Sequence, residues 1–301
     1  MNLSAQHISQ ELQILQNSIC QALEQTDGKG QFVEDLWQRP GGGGGKTRIL
    51  SNGNIIEKGG VNFSEVFGEV TETMANKLSM PKGEFFATGV SIVMHPHNPF
   101  VPIIHMNIRY FEIHSPNKTS YWFGGGIDLT PHYIDREEAR FFHQSLKNTC
   151  DRFDEDFYPK FKKWADDYFF IKHRKETRGI GGIFFDKLQE NEKHNKEDLY
   201  NFWIAVGETF APLYTNLMRK KAQKPYENTH KQWQKLRRGR YVEFNLVYDA
   251  GTKFGLETDG RIESILMSLP QEAMWLYNFQ PEAGSQEAQT LALLQKNIDW
   301  L

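Results

Sequence analysis

Two apolar runs carry the residues best suited to chemistry. In the run 90–95, Ser91, Val93 and His95 point one way. In the run 102–113, His105, Asn107 and Arg109 share one face, while Ile104, Met106, Ile108 and Tyr110 share the other. This follows because successive strand side chains alternate between faces. A strand with one wet face more often shows Lys, Glu or Thr at its polar positions. Serine, imidazole, carboxamide and guanidinium together suit a wet pocket that seeks anions. They supply hydrogen-bond donors, a group that exchanges protons near neutral pH, and a fork-shaped cation.

Other residues extend this set. Arg174, Arg178, Arg237, Arg238, Arg240 and Arg261 cluster near glycines, at 178–179, 238–240 and 260–261. Surface charge is the plain reading of any one of them. The neighbouring glycines favour clefts in which an amide and a guanidinium jointly hold a carboxylate. Asp186 closes the apolar run 182–185, as a cap or as a buried acceptor for pyrrole-type N–H donors. The ten histidines divide by context. His7, His194 and His230 lie in polar helical settings, and His97, His114 and His132 in turns. His95, His105, His143 and His173 sit beside polar groups in apolar or basic surroundings. Four imidazoles suit a divalent transition metal. There is no HExxH pair, and Pro96 interrupts the strand between His95 and His97. Acid–base or hydrogen-bonding work is the commoner role for histidine, so both readings stand.

Two glycine runs invite a phosphate or dinucleotide reading, and both fail it. Residues 41–45 precede Lys46-Thr47, but Pro40 stands where a phosphate loop needs glycine, and 32–39 reads as helix rather than strand. A donor-rich loop able to close over a ligand fits better. Residues 124–126 lack dinucleotide spacing and a following helix. Glycines there mark a bulge or a close approach of backbone, on which a flat ligand can rest.

These residues need elements to hold them. Ile8, Leu12, Leu15, Ile19 and Leu23 recur at helical spacing, so 1–30 reads as an amphipathic helix ending near Asp27-Gly28. Strands are expected at 48–50, 55–58, 85–94, 102–113, 121–123, 183–185 and 241–248. Asp135 opens a helix to Cys150, with a buried stripe (Ala139, Phe142, Leu146, Cys150) and a basic stripe (Arg136, Arg140, His143, Lys147). Further helices are expected at 155–170, 196–221 and 226–236. With no repeat and no Pro/Ser linker, 1–301 reads as a single α+β domain. Its large, mainly antiparallel sheet is flanked by helices on both faces.

Composition narrows the functions. The 301 residues carry 35 basic and 38 acidic side chains, a net charge of −3, which gives no basic excess for nucleic acid. Cys20 and Cys150 are the only cysteines. Two thiols rule out a disulfide framework, a four-thiolate zinc site and an iron–sulfur cluster. No leader pattern and no membrane-length apolar run appear, so a cytoplasmic protein is expected.

The chain closely resembles the oxygen-dependent coproporphyrinogen III oxidases of haem biosynthesis. The resemblance runs from Trp37 to about Tyr277. It is carried by 41–45, Glu57-Lys58-Gly59-Gly60-Val61-Asn62-Phe63-Ser64, 101–109, 122–131, Lys163-Trp164-Ala165-Asp166-Asp167-Tyr168, 172–186, 237–245 and 254–270. It implies oxidative decarboxylation of two propionates of coproporphyrinogen III to vinyls, giving protoporphyrinogen IX. Molecular oxygen is the co-substrate, and CO2 and H2O2 leave. No flavin, haem, NAD or iron–sulfur cluster is implied. The resemblance also implies a homodimer joined through about 241–276. It makes Ser91, Asn107, Ile108, Arg109, Asp259, Gly260 and Arg261 substrate contacts and His105 the proton donor. It implies a divalent metal on His95, His105, His143 and His173. Many bacterial relatives have Gly at the place of Asp259, so Gly260 and Arg261 carry more weight there. Asp186 is expected to hold pyrrole N–H groups. A metal-dependent oxidase of another substrate and a non-catalytic tetrapyrrole carrier are the rival readings.

Overall fold

The computed structural model describes residues 3–72, 75, 81–116, 118–257 and 260–301. Asp259 lies outside them. Seven strands form one wholly antiparallel sheet in the order β1 (Val33–Gln38), β2 (Gly43–Ser51), β3 (Ile56–Glu69), β4 (Glu84–Pro96), β5 (Ile103–Ser115), β6 (Lys118–Thr130) and β9 (Gly182–Leu188). Two short strands, β7 (Phe170–Ile171) and β8 (Glu176–Thr177), pair separately. The expected α+β class and antiparallel sheet are observed.

The two faces of the sheet differ in kind. One carries Ile92, Met94, Ile104, Met106, Ile108, Tyr110 and Ile127, all buried. It is covered by helices α1 (Ala5–Asp27) and α4 (Lys196–Lys221). Burying apolar area at about 25 cal/mol per Å2 makes this side the main source of stability. Helix α1 is pinned at its end by Asp27, whose carboxylate accepts from the backbone N–H groups of Gly30, Asn54, Ile55 and Ile56 at 2.7–2.8 Å. Helix α2 (Arg136–Asp151) starts at Asp135, as expected, and α3 (Phe157–Tyr168) packs on β9.

The other face is polar and glycine-rich. The register sets transverse rows across it. One row reads Thr47, Asn62, Ser91, Asn107, Gly126 and Phe184; the next reads Gly60, Val93, His105, Asp128 and Gly182. Its roof comes from α5 (Asn228–Val247), α6 (Ala250–Glu257) and α7 (Ile262–Leu266); a last helix, α8 (Gln286–Leu293), follows.

Four local expectations are corrected. The segment 241–248 is the end of α5, with Tyr248 as its C-cap, and not a strand. Trp233, Leu236, Arg237, Tyr241, Phe244 and Asn245 are buried at three- and four-residue spacing, while Leu246 and Val247 are exposed. The apparent alternation there was a helix seen over too short a window. Residues 33–38 form edge strand β1 rather than helix, and glycines 43–45 belong to β2, paired with β1 and β3. Their N–H groups serve the ladder, so this run is no open donor loop. In α2, His143 is buried rather than part of a basic stripe.

Burial gives the fold an acid-sensitive element. It pushes His143 down to about 3. Burial, helped by the Arg238 cation, pushes His95 and His132 well down too. All three are neutral in the fold but take up protons when unfolded. Their stabilisation is full above the ordinary value of about 6.5 and is lost below it, by up to about 1.4 kcal/mol per pH unit for each. Urea unfolding midpoints are therefore expected to fall between pH 7.5 and 5.5; a flat profile over that window contradicts this assignment.

Candidate active site

The polar face opens into a cleft with two adjoining lobes. The smaller, about 220 Å3, is lined by Ser91, His105, Asn107 and Arg109 below and by Tyr241, Asn245, Thr252 and Met267 above. The larger, about 900 Å3, is lined by Trp37, Asn62, Phe85, Phe111, Gly260 and Arg261 among others. Ser264 and Ile265 border both. The larger lobe alone falls within the ~300–1,000 Å3 typical of sites for sizeable ligands. Ser91, His105, Asn107, Arg109, Gly260 and Arg261 are thus brought to one cleft. Ile108 is not: its side chain is buried on the opposite face, because it stands between Asn107 and Arg109 in β5 and successive strand side chains alternate between faces.

His105 sits in an arrangement that only the structure reveals. Its Nδ1–H donates to Asp128 at 2.7 Å. Asp128 and Arg178 are both fully buried and joined at 2.7 Å through two oxygens. The Arg178 guanidinium also donates to Asn245 at 3.0 Å and lies among the rings of Phe169, Tyr241 and Phe244, at 4.4–4.7 Å. Burial alone would raise the Asp128 pKa; Arg178 and His105 outweigh it and hold the carboxyl below the ordinary carboxylate range. A charged carboxylate only accepts, so the proton of neutral His105 is on Nδ1. Its Nε2 is left for the cleft.

Arg109 donates to Asn107 at 3.0 Å and pairs with Asp186 at 2.9 Å across Gly124. A Cβ at Gly124 would lie 2.7 Å from Asp186 Oδ1 and 3.0 Å from Arg109 Nε. Both are ends of movable side chains. Gly124→Ala is thus expected to displace Arg109, raising KM about tenfold, the loss of one charge-assisted contact, with the melting temperature little changed. An unaltered KM would show that Arg109 takes no part in binding. Asp186, expected to face the pyrroles, is instead the partner of Arg109 and does not line the smaller lobe.

The arginines near glycine need a similar correction. Arg178, Arg237 and Arg238 are buried against Asp128, Glu176 and Glu57. They are inner struts, not open carboxylate clamps. Arg261 lines the larger lobe, bonded to Ser264 at 3.1 Å and to Asp35.

The four histidines expected to hold a metal do not converge. His95 Nε2–H donates to the Ser268 carbonyl at 2.8 Å, beside the Arg238 cation. His143 bonds Tyr158 and the Ile180 carbonyl, both at 3.0 Å. His173 bonds Tyr248 and Glu243, both at 2.7 Å. Among the described residues, no group of three or more His, Cys, Asp or Glu side chains is placed to hold a metal ion. The donor set does not fit the group, since most ring nitrogens are already committed elsewhere.

The cleft is thus an antiparallel sheet face floored by small residues and edged with arginine, imidazole and amide. The profile described as Coproporphyrinogen III oxidase matches residues 7–300. Coproporphyrinogen-III oxidase 1, chloroplastic, of Arabidopsis thaliana is 48% identical over 298 residues, 95% of this chain and 76% of the relative. The oxygen-dependent coproporphyrinogen-III oxidase of Drosophila melanogaster is 49% identical over 298 residues, 95% and 76% of the two chains. The mitochondrial one of Rattus norvegicus is 49% identical over 304 residues, 97% and 68%. The chain belongs to the coproporphyrinogen III oxidase family.

The cytoplasmic expectation is overturned by these names, two of which are organellar. No helix among the described residues is long and apolar enough to cross a membrane; that fact carries no compartment.

Proposed function

We propose that this cleft is where coproporphyrinogen III meets dioxygen. The chain is an oxidoreductase that converts two propionates of this substrate to vinyls, giving protoporphyrinogen IX in haem biosynthesis. For each propionate the C–CO2 bond breaks and CO2 leaves. The ring-side carbon gives up one hydrogen with two electrons, and the C=C bond forms. With one further proton, these reduce O2 to H2O2.

The electron-rich pyrrole beside the reacting carbon eases this loss of hydrogen with its two electrons, so the protein has to orient, exclude water and move protons. His105 handles the proton at Nε2, with Asp128 fixing its tautomer and favouring the imidazolium once formed. Arg109 and Arg261 anchor propionates, and Ser91 and Asn107 add short polar contacts. Gly124, Gly126 and Gly182, in register with Arg109, Asn107 and Asp128, keep the floor low beneath the macrocycle. The observation that carries this reading is the shared cleft of Ser91, His105, Asn107 and Arg109.

A homodimer through 241–276 is part of the same reading. Leu246, Val247, Ile262, Trp275 and Leu276 are all exposed in or beside the roof, which supports a covered face there. Sedimentation of the protein as a monomer at micromolar concentration would end that part.

Incubation of purified protein with coproporphyrinogen III, with and without air, tests the activity. Vinyl product is expected only with oxygen. Product without oxygen, or binding without any product, rules this reading out.

A further inference from the structure

We infer that Arg39 is a further substrate anchor, holding a propionate that the reaction leaves in place. This rests on the reading of the cleft as the coproporphyrinogen III site.

Arg39 stands at the tip of the β1–β2 hairpin and lines the larger lobe. Its backbone N–H donates to Gly43 at 2.9 Å, and its carbonyl accepts from Gly42 at 3.0 Å, which fixes the turn. The guanidinium donates to the Phe67 carbonyl at 3.3 Å and lies 5.7 Å from the Phe85 ring. A Cβ at Gly41 would come within 2.8 Å of it, so the glycine turn leaves the space the guanidinium occupies. This gives a purpose to part of a glycine run that neither the ladder nor His105 explains.

The three arginines of the cleft differ in charge balance. Arg109 is paired with Asp186, and Arg261 with Asp35. No carboxylate of the described residues lies within ion-pair distance of Arg39. Glu257 is the only acidic side chain lining this lobe among the described residues, and it has a contact of its own. A guanidinium without a carboxylate partner is the strongest anion anchor available here.

Its position decides which carboxylate it takes. His105 lines the smaller lobe; Arg39 lines the larger. A carboxylate about to become neutral CO2 loses reactivity when its charge is held by an ion pair, because the ground state is stabilised and the transition state is not. The strong anchor therefore suits the two propionates that survive into product.

The test uses Arg39→Gln and Arg39→Lys in the full chain. Steady-state oxidation of coproporphyrinogen III is combined with fluorescence titrations of coproporphyrin III, mesoporphyrin IX and coproporphyrin tetramethyl ester. Mesoporphyrin IX has only the two retained propionates, and the ester has no charge. Arg39→Gln is expected to raise KM about tenfold and to weaken both acids similarly, as for one lost charged contact. Its kcat should be nearly unchanged, ester binding unaltered, and Arg39→Lys should recover much of the loss. A fall in kcat at constant KM would place Arg39 at the reacting group and overturn the assignment. So would unchanged KM and affinities in an active protein. A wild type that makes no vinyl product removes the functional reading itself, and the anchor with it.

Discussion

Replacing His105 with alanine is expected to lower kcat by about 10²–10⁴-fold, the usual worth of a positioned acid–base group, while KM shifts only a few-fold. The reasoning starts from the Asp128–His105 bond of 2.7 Å. Asp128 is held ionised by Arg178, so His105 enters catalysis with one tautomer and one orientation. Alanine removes the proton carrier but leaves Arg109, Asn107 and Ser91 in place. Steady-state kinetics on coproporphyrinogen III separate the two effects. A large rise in KM with kcat intact would make His105 a binding group and remove it from proton transfer.

The second large effect concerns stability. Asp128→Ala is expected to destabilise the fold by about 3–5 kcal/mol, as when one member of a buried ion pair is removed. Arg178 would then keep its charge in a fully buried position among Phe169, Tyr241 and Phe244. The double variant Asp128→Leu, Arg178→Met leaves no unpaired charge and is expected to regain much of that loss. Urea unfolding of the wild type and both variants measures this. Equal stability of the single and double variants would mean that the pair is not electrostatically coupled. Neither variant should be active, because the carboxylate that orients His105 is gone in both.

Much of the site was legible because strands obey a two-residue period. Ser91, His105, Asn107 and Arg109 came from that rule alone, and the cleft contains all four. The rule also placed Ile108 on the far face, against its inclusion among the substrate contacts. Asp128 escaped notice because it lies in a run rich in apolar residues and glycine, with no local pattern marking it. Its role comes from β5–β6 register and from Arg178, fifty residues on. The same long-range pairing turned Arg178, Arg237 and Arg238 from apparent clamps into buried struts. Short windows misled elsewhere: 241–248 alternates over eight residues, yet burial at 233, 236, 237, 241 and 244 follows a helix. Residues 33–38 and 43–45 resemble a helix and a loop locally, and only the pairing of β1 with β2 and of β2 with β3 draws them into the sheet.

Hydrogen exchange with and without coproporphyrin III tests the location of the site most directly. The account predicts ligand-dependent slowing in the roof, 249–257 and 260–268, and in strand segments 89–93 and 105–109 beneath it. Slowing confined to the opposite face, along α1 and α4, would place the tetrapyrrole elsewhere and contradict the central claim.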